Sequence, residues 1–442
     1  MTAAPNTSHQ TRSVFALLIF ILFVHIAILL PQNDQTTEVS RSYAVTTCPG
    51  PINGARSVAL LPSKAIGIRD LTRKASGFSK PTTGTPNNSG GAIVISGNPR
   101  DTLNIQSKES RWTTAVTCGL GDANTWFIGG TANVTSQGKL VMINSGLSDA
   151  QVEVTAYDET GPKAANNISV RALSEKVVRI DSLDPGAESL VLEVKVLNGR
   201  VTSYLLDERV RGLNNLGGDF VSPNITPGQV QIIPGLVAKY GNSGKINHTL
   251  RVINVSDSDT SASVEILSKS GVYIPVGLGD IKLNAKTVVD VPLRGLDLGK
   301  ENFAVKIEAS SPIAAAVRTE LVAGSLSDFS WSVATPSFRT LEFNLYGLEP
   351  TITFVGERIA VLAEWKLRDG KSSSRVLTGE EIVNWKVPAN VRLVRLINRG
   401  TVSAGMIWVT RDGIAALPVT SAASLESAVR PITDISVIQS RT

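Results

Sequence analysis

Leu140-Val-Met-Ile-Asn144 recurs about 110 residues later as Leu250-Arg-Val-Ile-Asn254, and this repeat decides the fold class. Later strands in both copies are apolar at every second position: Leu190, Leu192 and Val194 in the first copy, and Phe303, Val305 and Ile307 in the second. Such alternation predicts strands with one buried face. A period of about 110 residues is too long for a propeller blade and matches a whole sandwich domain. The sequence therefore predicts an all-β chain of tandem immunoglobulin-like β-sandwich domains.

The chain outside these two copies divides by weaker patterns. Val361–Gly370 resembles Val152–Gly161, which predicts a third, degenerate copy that lacks its first strand. Upstream of the first copy, short β-like runs surround a loop-like stretch rich in Gly, Ser, Pro and Thr at 76–91. The predicted organisation is a cytoplasmic tail at 1–13, a transmembrane signal anchor at 14–30, a stalk at 31–41, an N-terminal β region with a disulfide at 42–125, β-sandwich repeats at 126–225 and 226–337, and the degenerate repeat at 338–442.

One apolar segment, Val14–Leu30, is predicted to be a transmembrane helix. It contains a single polar side chain, His25, and would form a helix about 26 Å long, barely enough to span a bilayer core. The segment is longer than the apolar part of a cleaved signal peptide and lacks a small-x-small site after it, which favours an uncleaved anchor. Arg12 precedes the segment and Asp34 follows it. The positive-inside rule then places the N-terminus in the cytoplasm and the bulk of the chain outside the bacterial cell membrane.

Composition favours an extracytoplasmic β protein. Charged residues make up 18% of the chain, against about 25% in typical soluble domains. The net charge of +5 comes from Lys and Arg residues scattered along the chain without a basic run. A nucleic-acid partner would require such a cluster, so none is predicted.

The two cysteines, Cys48 and Cys118, both follow the predicted anchor. In an oxidising compartment they are expected to form a disulfide. Closing a loop of this length would stabilise the fold by about 4 kcal/mol in the chain-entropy account. Two buried free thiols are the alternative.

Histidine is too scarce to build a familiar catalytic or metal site. His9 and His25 fall in the predicted tail and anchor, which leaves His248 as the only exported histidine. Triads and His-based zinc sites need partners that this chain lacks. His248 begins a repeat strand and is predicted to be a solvated edge residue. We predict no catalytic residue, no metal and no cofactor.

Paired acids and tryptophans are the remaining candidates. Asp207-Glu208 and similar pairs could in principle serve glycoside hydrolysis, but solvated strand faces are the simpler interpretation. Trp365 and Trp385 are each followed by a lysine, which suggests half-exposed strands. Exposed tryptophan rings stack on sugars, so these two are the predicted glycan-stacking residues.

Several short motifs together resemble a known family. They are Cys48-Pro49-Gly50, Cys118, Trp126–Gly130, Leu140–Asn144 and the valine-rich strand that ends at Gly161. Their order is similar to that of the actinobacterial exported family catalogued as domain of unknown function 5719, over residues 45 to 335. The resemblance implies an envelope protein with an N-terminal anchor. It implies no activity, because the family has no assigned chemistry.

The sequence leaves three functions open. The favoured one is a non-enzymatic scaffold or adhesion-like protein, held in the membrane by residues 14–30, that binds other envelope proteins. The second is a module that binds cell-wall glycan and aids polymer assembly. The third is a hydrolase that uses carboxylates alone. Fold class does not separate these functions, since sandwiches host all of them.

Overall fold

The computed structural model describes residues 45–62, 66–71, 77–88, 90–96, 102–223, 227–241, 244–296 and 298–420. Within these ranges the regular structure is thirty β-strands and one 3-10 turn, Ile180–Ser182, without an α-helix. The predicted all-β class is confirmed. The predicted cytoplasmic tail, membrane anchor and stalk lie outside the described residues. In the part that is described, no helix is long and apolar enough to cross a membrane.

The strands fall into four consecutive units. Unit 1 (residues 45–118) contains β1 (Val45–Cys48), β2 (Arg56–Leu60), β3 (Ile68–Asp70), β4 (Asn87–Asn88), β5 (Ile93–Ser96), β6 (Leu103–Lys108) and β7 (Trp112–Thr117). Unit 2 (residues 124–221) contains β8 (Asn124–Ile128), β9 (Lys139–Asn144), β10 (Ala150–Asp158), β11 (Gly161–Pro162), β12 (Asn166–Val170), β13 (Ser174–Arg179), β14 (Val191–Asn198), β15 (Val201–Arg211) and β16 (Asn214–Val221).

Units 3 and 4 complete the series. Unit 3 (residues 228–333) contains β17 (Gly228–Leu236), β18 (Lys245–Asn254), β19 (Thr260–Ser268), β20 (Gly271–Tyr273), β21 (Ile281–Leu283), β22 (Val288–Leu293), β23 (Phe303–Ala323) and β24 (Leu326–Val333). Unit 4 (residues 340–418) contains β25 (Thr340–Asn344), β26 (Thr351–Leu367), β27 (Ser372–Lys386), β28 (Val391–Asn398), β29 (Ser403–Val409) and β30 (Ile414–Pro418).

One strand order recurs in all four units of the described chain. Unit 1 has sheets β1-β5-β3 and β4-β2-β6-β7, and unit 2 has the matching sheets β8-β14-β10 and β13-β9-β15-β16. In unit 3 the long β23 serves both sheets, pairing with β17 and β19 along its first half and with β18 and β24 along its second. Unit 4 has β25-β28-β26 and β27-β26-β29-β30, with β26 and β27 shared.

One expectation from the sequence is therefore wrong. The fourth unit does not lack its first strand, because β25 occupies that place beside β28. The poorly patterned N-terminal region has the same strand order as the clear repeats. Its pattern is hidden because polar residues are buried in it: the Asn104 side chain donates to the Ser57 hydroxyl at 3.0 Å, and Gln106 donates to the Gly50 carbonyl at 2.7 Å.

The repeated asparagine at the end of the second strand has a structural role. The side-chain nitrogen of Asn254 donates to the carbonyls of Ser258 and Leu283, at 2.8 and 3.2 Å, and its oxygen accepts from the Ser256 backbone at 3.0 Å. Asn144 makes the equivalent bonds to Ser148, Val170 and Gly146. Both side chains are fully buried. Each asparagine thus closes its own turn and ties it to a neighbouring strand.

Replacing Asn254 by leucine is expected to lower the free energy of unfolding by about 2–4 kcal/mol, because the buried Leu283 carbonyl and the part-buried Ser258 carbonyl lose their donor. Denaturant unfolding of the full chain checks this value. Asn167→Leu, at an exposed position in β12, is the matched control and should shift stability by less than about 0.5 kcal/mol. Equal effects of the two substitutions would contradict the role of Asn254.

The predicted disulfide is present in unit 1. Cys48, at the end of β1, is bonded to Cys118, just after β7, across 70 residues. An isolated bridge between Thr47 and Gly119 lies beside it. The bond therefore ties the first strand of the unit to its last, and both cysteines are fully buried.

The last strands of the four units form a closed circuit. β7 lies next to β16, β16 next to β24, β24 next to β30, and β30 next to β7. Apolar residues are shared across each junction: Trp112 with Phe220 between units 1 and 2, Trp331 with Val221 between units 2 and 3, Leu321 with Ile414 between units 3 and 4, and Leu103 with Trp408 between units 1 and 4. The described residues between 45 and 420 consequently form one compact body.

Candidate functional site

Charged side chains converge on the closed circuit. Asp219 and Asp328 lie in the last strands of units 2 and 3, and both are almost fully buried. Each last strand is the edge of its own sheet, so it carries backbone N–H groups without strand partners. These groups need acceptors from a neighbouring unit.

The two aspartates supply those acceptors. Asp328 accepts hydrogen bonds from the backbone of Gly218 in unit 2 at 3.0 Å and of Ile414 in unit 4 at 2.9 Å. Asp219 accepts from the Trp331 backbone in unit 3 at 2.6 Å and from the Thr114 hydroxyl in unit 1. Each carboxyl group therefore joins two other units. Burial raises the pKa of both groups well above the ordinary value for aspartate.

Asp207 and Glu208 connect unit 2 to its two neighbours. The indole nitrogen of Trp331 in unit 3 donates to Asp207 at 3.0 Å. The indole nitrogen of Trp112 in unit 1 donates to Glu208, also at 3.0 Å. The solvated position expected for this acid pair is wrong, because both side chains are fully buried. Adjacent residues of a strand point to opposite faces, so each acid meets a different unit.

A buried arginine completes the junction between units 2 and 3. Arg251 forms a bidentate ion pair with Asp290 at 2.7 and 2.8 Å. It also donates to the carbonyls of Gly130 and Leu190 in unit 2, at 2.5 and 3.0 Å. Its guanidinium carbon lies 5.1 Å from the centroid of the Trp331 ring, within range of a cation–π contact. Asp290 thus holds the guanidinium in place within unit 3, and the bonds to Gly130 and Leu190 join unit 3 to unit 2.

The predicted glycan-stacking residues lie together but do not form an outer platform. Trp365 and Trp385 contact each other with ring centroids 5.5 Å apart. Trp385 is only 5% exposed and belongs to the core of unit 4, and Trp365 packs against that core while partly exposed. The half-exposed position expected for Trp385 is wrong. Lys366 points outward, and the strand alternation therefore turns its neighbour Trp365 inward.

The outer face of the same sheet carries a polar groove that the sequence did not indicate. Glu342, Arg395 and Glu364 face one another across β25, β28 and β26. Arg395 lies 3.5 Å from Glu364. The groove has a volume of about 410 Å³, and its other lining residues are Trp365, Lys366, Leu393 and the serines 372–374. It can offer several hydrogen-bond donors and acceptors to a polar ligand.

His248 is buried inside unit 3. Its side chain is 5% exposed, its Nδ1 lies 3.1 Å from the Thr319 hydroxyl, and its ring meets Phe303 edge-on. The expected solvated edge position is wrong, because His248 shares the inward face of β18 with Leu250 and Val252. Burial lowers the pKa of His248 to about 4, against a smaller opposing contribution from the Val237 backbone.

The buried histidine predicts a pH dependence of stability. Since its pKa is lower in the folded chain than the ordinary 6.5, its contribution is fully present above pH 6.5 and is lost as the pH falls towards 4. Unfolding of wild type and His248→Gln at pH 7.5 and 4.5 isolates this contribution. The loss of stability on acidification should be about 2–3 kcal/mol smaller in the variant. An identical loss in both proteins would contradict the prediction.

A model described as a family of unknown function, DUF5719, matches residues 95–344, which is more than half of the chain. The chain belongs to the DUF5719 family. The DUF5719 match begins in β5 of unit 1 and ends in β25 of unit 4. It therefore covers all of units 2 and 3 and the aspartates that join them to their neighbours.

Two solved structures are only distantly similar to this DUF5719 chain. The crystal structure of Thermotoga maritima 1070 covers 24% of this chain and 93% of its own, at 11% identity and a TM-score of 0.21. A tetra-tandem repeat in the extending region of a large adhesion protein covers 89% of this chain and 98% of its own, at 11% identity and a TM-score of 0.13. Scores this low carry no argument about fold or function. No curated protein matches the chain.

Proposed function

We propose that this chain is a non-enzymatic scaffold or adhesion-like binding protein of the actinobacterial cell envelope. In this proposal residues 14–30 anchor it in the cell membrane, with the N-terminus in the cytoplasm and the bulk of the chain outside. Each unit is a variant of the immunoglobulin-like sandwich, with seven principal strand positions divided three and four between two sheets. The tandem sandwiches then act together as one platform that binds other envelope proteins.

The observation that carries this proposal is the use of buried charge at the junctions between units. Asp219, Asp328 and Arg251 each bond to at least one other unit. Buried polar groups that are fully bonded fix a single arrangement of the elements that contain them. A rigid body with fixed surfaces is what a scaffold needs.

Cross-linking in intact cells, followed by mass spectrometry, tests the proposal. Full-length wild type should be recovered with specific envelope proteins, and protease added to spheroplasts should degrade the bulk of the chain. Turnover by the full chain of substrates in a panel of glycosides and esters, without any recovered partner, would overturn it.

The groove in unit 4 favours a second function, binding of cell-wall glycan. Its charged and hydroxyl side chains can bond to sugar hydroxyls, and the partly exposed Trp365 is one of its lining residues. The full chain should be retained on purified wall polysaccharide, and Glu364→Gln or Arg395→Gln should weaken retention. Glu159→Gln, in unit 2, is the control. Equal retention of all variants would exclude the groove as the glycan site.

A further inference from the structure

The β26–β27 hairpin of unit 4 contains one long continuous strand where units 2 and 3 have several short ones. In units 2 and 3 the matching chain is divided into the short strands β11 to β13 and β20 to β22. In unit 4 it is the single strand β27, and among the described residues β27 pairs only with β26. Its outer edge therefore lacks a strand partner.

The free part of this edge is residues 372–378, since the other end of β27 reaches unit 3 through the bond that Asn384 donates to the Asn302 carbonyl at 2.8 Å. Within the free part every side chain except Leu377 is exposed. Val376 is 59% exposed and lies opposite Leu362 on the outer face. A free edge of this length, with an apolar side chain on it, is a template for an added strand.

The charged side chains around this edge indicate which kind of polypeptide it binds. Residues 364–375 carry four cations and two carboxylates. The cations are Lys366, Arg368, Lys371 and Arg375, and the carboxylates are Glu364 and Asp369. Both carboxylates are already paired, Glu364 with Arg395 at 3.5 Å and Asp369 with Lys371 at 3.3 Å. The local excess of positive charge attracts an acidic chain.

Strand alternation sets the pattern of that chain. Val376 and Ser374 lie on the outer face of β27, opposite Leu362 and Glu364, and Arg375 lies on the other face. A strand added beside β27 would place alternate side chains next to Val376 and next to Arg375. Apolar residues of the added strand fit beside Val376, and acidic residues fit beside Arg375.

We propose that the free edge of β27 binds an extended polypeptide in which acidic and apolar residues alternate, adding a strand to the sheet of unit 4. This proposal rests on the proposed scaffold function and specifies the chemistry of one partner. Backbone hydrogen bonds supply affinity, and Val376 and Arg375 supply selectivity.

Fluorescence anisotropy with the detergent-solubilised full chain tests this proposal. The probe is a labelled peptide, acetyl-Thr-Val-Glu-Val-Glu-Val-Thr-amide, and the comparison peptide has lysine in place of both glutamates. The acidic peptide should bind at least about tenfold more tightly than the basic one, and Arg375→Glu should weaken its binding by about tenfold or more. Arg411→Glu, an exposed change in the β29–β30 turn, should leave binding unchanged.

Any of three peptide-binding results would overturn the proposal. They are no binding of the acidic peptide at 1 mM, equal binding of the two peptides, and binding that Arg375→Glu does not change. A dimeric chain that Arg375→Glu converts to a monomer would also overturn it, because a second copy would then be the occupant. If the peptide does not bind the edge, the scaffold function still holds provided that cross-linking recovers envelope proteins from cells expressing Arg375→Glu.

Discussion

Replacing Trp331 by alanine should lower the free energy of unfolding by about 4 kcal/mol. Its side chain is 1% exposed at the junction of units 2 and 3, and truncating a buried tryptophan costs about 3–5 kcal/mol through lost packing and the cavity left behind. The change also removes the indole N–H that donates to Asp207. It leaves Arg251 without the ring that its guanidinium contacts.

Denaturant unfolding of the full chain measures this effect. Trp331→Phe keeps most of the ring and removes the donor, so it should cost about 1–2 kcal/mol. Trp365→Ala removes the same side chain from a partly exposed position and should cost less than Trp331→Ala. A Trp331→Ala chain as stable as wild type would show that the junction does not contribute to folding.

Replacing Asp328 by alanine should cost about 3–5 kcal/mol. The backbone N–H groups of Gly218 and Ile414 would lose their acceptor in a buried place, and each unsatisfied group costs about 1–3 kcal/mol. Asp328→Asn keeps one acceptor oxygen and should fall between alanine and wild type.

The same unfolding measurement should show that Asp257→Ala, at a highly exposed position, changes stability by less than about 0.5 kcal/mol. If Asp328→Ala behaved like Asp257→Ala, the carboxylate would not be joining the units.

Much of the fold could be predicted from the sequence. The alternation in Leu190–Val194 predicts a strand, and the recurrence of Leu140–Asn144 as Leu250–Asn254 predicts a repeated domain. The strand order of unit 1 could not be predicted, because its buried Asn104 and Gln106 interrupt the apolar pattern. An alternating pattern of apolar and polar residues indicates burial only where the buried residues are apolar.

The packing of the units could not be predicted in the same way. Asp219 and Asp328 each precede a phenylalanine in the sequence, but their bonds reach partners 112 and 110 residues away along the chain. A period in the sequence gives the length of a unit and not the surface on which units meet. The closed circuit depends on such distant contacts.

Strand alternation predicts the positions of the candidate glycan residues better than the charge of their neighbours does. The lysines Lys366 and Lys386 suggest half-exposed strands at the neighbouring tryptophans. Neighbours in a strand face opposite ways, so an exposed lysine predicts an inward tryptophan. Alternation therefore predicts that the rings of Trp365 and Trp385 both face the inside of unit 4.

Units 1 and 4 meet through β7 and β30, so that the four units close on themselves. The Ser110 backbone donates to the Asp412 side chain at 3.1 Å, between residues separated by 302 positions. Cysteines form a disulfide only when their α-carbons come within about 7 Å. The most direct test is therefore oxidation of the full chain carrying Ser110→Cys and Asp412→Cys, with Ser110→Cys and Ser270→Cys as the control pair. The closed circuit predicts a rapid intramolecular disulfide in the first pair alone, and equal, slow oxidation of both pairs would contradict it.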